Sequence, residues 1–182
     1  MHLFTIGHSA HSIEKFVALL KRHEITLVAD VRALPTSRFH PQFRKQRLAN
    51  TLTCEEIGYV FLGRTLGGRP TDSSCYADGR LPEKGTKPWP KPIFSIMMHR
   101  SWFVEGIEQL LKNAQNGRTA VMCSEENPAQ CHRHLLIAKY LLRHYGSTIT
   151  LLHIRGNGRL ECATAIHTPI SKQMPLFVVS GK

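Results

Sequence analysis

Short apolar runs alternate with helix-periodic segments along this chain, and that alternation restricts it to an α/β architecture. Residues 3–6 are apolar and β-branched and read as a first strand. Ser12 follows as a helix N-cap, with Glu14 in the first turn, where the helix dipole favours an anion. Ile13, Phe16, Val17, Leu19 and Leu20 then recur at helical spacing, ending near His23. Residues 25–31 read as a second, buried strand. Strand, helix and strand within about 30 residues make a βαβ unit, which implies parallel pairing and a right-handed crossover.

The pattern continues. A basic loop, ALPTSRFHPQFRKQRL, leads into a helix expected over 45–57, stopped by Gly58. Residues 59–62 are a third strand. Residues 63–92 are rich in Gly, Pro and Ser and too long for an ordinary connection, and such loops usually carry function or move. Ser101 is a candidate N-cap for a helix with Trp102, Phe103, Ile107, Leu110 and Leu111 on its apolar side, stopped by Asn116-Gly117. A fourth strand is expected over 119–123, a helix over 131–145, a fifth strand over 148–154, and a turn at Gly156-Asn157-Gly158. The expected fold is one three-layer α/β domain spanning residues 1–182. Its sheet has about five mainly parallel strands with helices on both faces. Residues 158–182 are a C-terminal extension for which the pattern predicts no element.

The 182 residues can bury about 70% of their unfolded surface, so the core needs neither disulfides nor metal. Five cysteines, an odd number in a chain that is not small, argue against a disulfide framework and for a reducing cytosol. The sequence shows neither a secretory leader nor an apolar run near the roughly 20 residues of a membrane span. No cofactor is required by the sequence. Lys plus Arg number 24 and Asp plus Glu 13, a formal charge of 24 − 13 = +11. That excess suggests a polyanionic partner: nucleic acid, nucleotide or another phosphorylated ligand. Simple solubility of a basic protein explains the same number.

In open parallel sheets, ligands bind beyond the carboxyl ends of the strands. Reactive residue types follow each expected strand: Gly7-His8-Ser9 after the first; Asp30, Arg32, Ser37 and Arg38 after the second; Gly63-Arg64 and Gly67-Gly68-Arg69 after the third; Cys123, Glu125, Cys131, His132 and Arg133 after the fourth. The last group is the most informative. A helix N-terminus suits an anion and lowers a nearby thiol pKa, so Cys123 or Cys131 reads as a nucleophile. Arg133 adds a planar donor fork for phosphate or carboxylate, and His132 a general acid or base. The bland alternative makes Cys123 a buried apolar residue and Arg133 a surface charge.

Cys123, Cys131 and His132 also supply three soft ligands of the kind catalytic zinc uses. Seven residues separate the two cysteines, which is not the short zinc-knuckle spacing. Adjacent Cys131 and His132 on a helix would point about 100° apart, so they converge only if the helix starts after them. No metal is assigned on sequence alone.

Asp30 and Arg32 stand two apart on one strand face, as a salt bridge or as ribose and phosphate ligands, and Asp30 beside His8 is a candidate base. The glycines with Arg64 and Arg69 suit close backbone approach to phosphate, or a plain turn, and match neither phosphate-loop signature. Two basic stretches carry aromatics: Arg38, His40, Arg44, Lys45 and Arg47 with Phe39 and Phe43, and Arg80, Lys84, Lys87 and Lys91 around Trp89. Cations with aromatics suit phosphate contact and base stacking, and also describe a solvated basic face.

Thr5-Ile6-Gly7-His8-Ser9, Asp30-Val31-Arg32 with Pro35 and Ser37, Tyr59 to Leu66-Gly67-Gly68, and Cys123-x-Glu125 … Pro128-x-x-Cys131-His132-Arg133 together resemble the family called domain of unknown function 488. The resemblance covers roughly residues 3–155. It implies a small α/β domain, mostly bacterial and archaeal, and names no reaction. It points to His8, Ser9, Asp30, Arg32, Ser37, Cys123, Glu125, Cys131, His132 and Arg133 as site positions.

Two function classes follow. The first is an enzyme acting on a nucleotide, nucleic acid or other phosphorylated substrate, with Cys123, Asp30, His132 and His8 as candidate catalytic groups. Ser9, Arg32, Ser37, Arg38, Arg64, Arg69, Glu125, Cys131 and Arg133 are its candidate substrate ligands. The alternative is a non-catalytic nucleic-acid-binding module that uses the basic loops.

Overall fold

The computed structural model describes residues 1–83 and 85–166. Its six strands are β1 (His2–Gly7), β2 (Leu27–Asp30), β3 (Gly58–Phe61), β4 (Thr119–Cys123), β5 (Thr150–Ile154) and β6 (Leu160–Cys162). They form one sheet in the order β3-β2-β4-β1-β5-β6. The first five are parallel, and β6 pairs antiparallel with β5. The fold is the expected α/β class, with one strand more than expected. β6 has three residues, too few for periodicity to show. The chain turns back to it through Gly158 at φ +81°, a conformation that glycine adopts without steric cost.

Helices α1 (Ile13–Arg22), α2 (Lys45–Cys54), α3 (Gly63–Leu66), α4 (Phe94–Met97), α5 (Ser101–Ala114) and α6 (Lys139–Tyr145) join the strands. The Ser12 hydroxyl accepts from Lys15 N–H at 3.2 Å, so the expected cap forms. Ser101 instead opens its helix, and Arg100 holds the cap position. Successive strand residues point to opposite faces. Phe4, Ile6, Val28, Ala120 and Met122 pack against α1 and α2 residues such as Phe16, Leu20, Leu48 and Leu52. Leu3, Ala29, Val121 and Leu151 pack on the other face with Phe103 and Ile107 of α5 and Leu141 of α6. Buried on both faces, the central strands need the near-continuous apolar runs that made them legible.

Two expectations change. β1 and β2 are parallel but not paired, because β4 inserts between them. The helix expected over 131–145 opens at His132, and Arg133–Ala138 are wound as a π-helix before α6. All five cysteines are free, and among the described residues no helix is long and apolar enough to cross a membrane. Lys84 and residues 167–182 lie outside the described residues.

The second core layer contains a buried polar chain. His134 Nδ1 lies 3.0 Å from His153 Nε2, and His153 Nδ1 lies 2.6 Å from the Thr5 hydroxyl. Burial penalises the charged rings and lowers His134 to about 4 and His153 to about 3. The unfolded rings protonate near pH 6.5. As pH falls, the unfolded chain therefore binds protons first. This contribution is complete above about pH 6.5 and is lost toward about pH 4, by order 1–3 kcal/mol per ring. Denaturant unfolding at about pH 7 and about pH 5 should show that loss, and His153→Gln should flatten it. Equal stability at both pH values would contradict this assignment.

Candidate functional site

Topology places the site. α1 and α2, which follow β1 and β2, cover one face of the sheet. The π-helical stretch and α6, which follow β4, cover the other. β4 therefore leaves the sheet to the opposite side from both of its neighbours. Its carboxyl end is a switch point, where a crevice opens. The β1–β4 ladder continues beyond the strands through His8 N–H to Cys123 O at 2.9 Å and Ser9 N–H to Ser124 O at 2.8 Å. That second bond accompanies a left-handed Ser9, at φ 45°, unusual for a residue other than glycine.

Cys123, Cys131 and His132 meet at this crevice, with their ligand atoms within 4.8 Å of one another. His132 Nδ1 is 3.6 Å from Cys123 Sγ and 3.9 Å from Cys131 Sγ. Its other nitrogen, Nε2, sits 3.0 Å from the Val31 carbonyl, to which it must donate. Nε2 thus carries a proton, and Nδ1 faces both sulfurs. Gly68 packs on the ring, since a Cβ there would lie 2.9 Å from His132 Cγ. This glycine serves approach to an imidazole rather than to a phosphate.

Both cysteines are buried. Their interaction with each other pushes the Cys123 thiol up and Cys131 down; burial adds to the rise at Cys123, and His132 and Arg133 add to the fall at Cys131. Cys131 is the stronger thiolate of the two.

Arg133 does not hold a ligand. It is fully buried and its guanidinium faces the chain itself. NH1 donates to Glu125 O, NH2 donates to Glu126 O at 2.6 Å, and Nε donates to the Thr5 hydroxyl at 3.3 Å. The expectation of a substrate fork is corrected: those donors serve the loop after β4, whose carbonyls have left the sheet ladder. Gly7 is required beside it, because a Cβ there would collide with Glu125 O.

Asp30 is likewise structural. Its carboxylate accepts from Arg32 N–H at 3.0 Å, Nε at 2.9 Å and NH2 at 2.7 Å, and from the Tyr59 hydroxyl at 2.7 Å. With every lone-pair direction engaged and no exposed surface, it is no base for a substrate. Arg32 NH1 also lies 3.3 Å from His8 Nε2, and His8 Nδ1 lies 2.9 Å from Ser9 O. Burial lowers His8 to about 4, so it stays neutral.

Two cavities flank this network. The larger, about 600 Å³, is lined by Cys123, Cys131 and His132 at one wall and by Arg69, Trp89 and Lys91 at another. The Arg69 guanidinium lies 4.9 Å over the Trp89 ring. The smaller, about 320 Å³, is lined by His8, Ser9, Ser37 and His40. Arg32 and Glu125 line both. Arg38 and Arg64 are exposed and line neither. Phe43, expected on a basic face, is buried and stacks on His8 at 4.3 Å. Sequence reasoning missed Thr36, Phe94 and Gln130, which also line the larger cavity. They reach it only through the folding-back of loops, and no local pattern signals that.

An open parallel sheet with a cysteine–histidine centre at its switch point defines the class, an α/β protein built around a strand-end pocket. The chain belongs to the family described as Domain of unknown function DUF488, whose model matches residues 12–141. The match takes in the Cys123–Arg133 segment and leaves His8 and Ser9 outside it. No curated protein and no solved structure matches the chain.

Replacing Arg133 with Met would keep the volume and strand two part-buried carbonyls. The expected cost is about 2–4 kcal/mol of stability, read by denaturant unfolding. A loss below about 0.5 kcal/mol would mean that the loop does not depend on the guanidinium.

Proposed function

We propose that this chain is an enzyme acting on a nucleotide or other phosphorylated substrate bound in the larger cavity, with Cys123, Cys131 and His132 as its reacting centre. One observation carries the reading. A histidine anchored through its far nitrogen presents Nδ1 to two buried sulfurs, in a cavity also lined by two cations and an indole. About 600 Å³ is the size of a small-molecule site. Arg69 and Lys91 supply attraction for an anion, and Trp89 supplies a flat apolar face suited to a ring. The Asp30–Arg32 pair, mutually neutralised, is part of the floor rather than the chemistry.

Turnover of a panel of nucleotides and phosphorylated small molecules tests this. Cys131→Ser and His132→Asn should lower kcat about 100-fold or more while the fold is kept. Arg69→Ala with Lys91→Ala should raise KM with kcat little changed. Substrates turned over equally by wild type, Cys131→Ser and His132→Asn would end the proposal.

A second reading has one observation in its favour. Phe39 is 87% exposed beside Arg38 on the basic loop. A solvent-facing aromatic beside a cation suits a nucleic-acid base. A binding module of this kind predicts affinity for single strands that falls steeply with salt and is weakened by Phe39→Ala. Negligible binding at low salt would exclude it.

A further inference from the structure

We infer that Cys123, Cys131 and His132 form a three-ligand site for a zinc-class divalent cation, with the fourth coordination position open to the larger cavity. The inference rests on the reading of this cavity as a reaction centre and names the cofactor of that centre.

The distances fit. Tetrahedral zinc with Zn–S of about 2.3 Å and Zn–N of about 2.0–2.1 Å sets its ligand atoms about 3.6 Å apart for N and S and about 3.8 Å for S and S. The two N···S separations here are 3.6 and 3.9 Å, and the sulfurs lie within 4.8 Å of each other. One ring nitrogen faces two sulfurs. A cation engages all three at once.

Cys131 lies before the helix, extended at φ −118° and ψ 141°, while His132, at φ −60° and ψ −23°, is already helical. The two side chains are therefore not held at the roughly 100° step that separates neighbours within a helix. His132 Nε2, donating to Val31 O, supplies the outer hydrogen bond that fixes tautomer and ring plane in metal-bound histidines. Two thiolates and an imidazole favour a soft or borderline ion over magnesium or calcium.

Among the described residues no fourth His, Cys, Asp or Glu joins the group. Three protein ligands with an open position is the pattern of catalytic rather than structural zinc. Two thiolates balance the dication, and the buried Arg133 behind them leaves the site net positive. An anionic oxygen of a phosphorylated substrate fits that open position and that charge, and the bound ion would polarise it.

The test uses the full chain, reduced and stripped with a chelator, then titrated with cobalt(II) and followed by absorption. One cobalt per chain should bind, with sulfur-to-cobalt charge-transfer bands in the near ultraviolet and tetrahedral bands in the visible. Zinc should displace it. Cys123→Ser and Cys131→Ser should each weaken binding about 100-fold or more and reduce the charge-transfer intensity, while Cys54→Ser, at an exposed helix end, leaves both unchanged. Absence of charge transfer in the wild type, or its persistence in the Cys123→Ser/Cys131→Ser double variant, would overturn the inference without any need for the variants to be active. Turnover separates the two claims. A chelator-resistant activity with no cobalt spectrum removes the metal and keeps the enzyme. A full cobalt spectrum with no turnover of any phosphorylated compound supports the metal and removes the enzyme.

Discussion

A single buried guanidinium holds the end of the central strand. Where β4 leaves the sheet, the carbonyls of Glu125 and Glu126 lose their ladder partners, and a buried unpaired carbonyl costs about 1–3 kcal/mol. Arg133 supplies both with donors and reaches on to Thr5 in β1. From Thr5 the polar chain passes to His153 in β5 and back to His134, the residue after Arg133 in the same helix. Two strands, a helix and the loop are thus tied together inside the core. The π-helical winding of Arg133–Ala138 starts at the residue that makes the clamp, a place where such windings often accompany function. What the clamp leaves lining the larger cavity is Cys131 and His132.

The sheet order explains why those residues meet Cys123. Had β4 formed at an edge, its carboxyl end would have had one neighbour and no crevice. Between β1 and β2, and leaving to the opposite face, it opens space on both sides. His8 and Ser9 line one space, and Arg69, Trp89 and Lys91 line the other. Arg32 and Glu125 form the wall between. The positive charge is divided accordingly. Arg32 and Arg133 are internal and paired, while Arg69 and Lys91 face a ligand-sized volume.

Much of the fold was legible in the residues. Buried parallel strands are apolar on both faces, so residues 119–123 and the first strands stood out, as did the Ser12 cap and the Phe103, Ile107 and Leu110 face of α5. Strand order was not legible, because which strand slots between β1 and β2 is decided by packing far along the chain. The clustering of Cys123, Cys131 and His132 at a strand end followed from the general rule for open sheets. The roles of Arg133 and Asp30 did not. A cation or carboxylate after a strand looks the same in sequence whether it meets a ligand or a backbone carbonyl, and only the three-dimensional partner decides. Phe43 misled for the same reason, since an aromatic among basic residues reads as exposed until His8 and Phe16 are found against it.

The central claim is that the crevice at the end of β4 gathers two sulfurs and one imidazole nitrogen around a single point. X-ray absorption at the zinc edge of the full chain loaded with one equivalent of zinc reads that point directly. The account predicts a first shell with two sulfurs near about 2.3 Å and one nitrogen near about 2.0–2.1 Å, completed by a light-atom ligand. A shell of oxygen and nitrogen alone would contradict it.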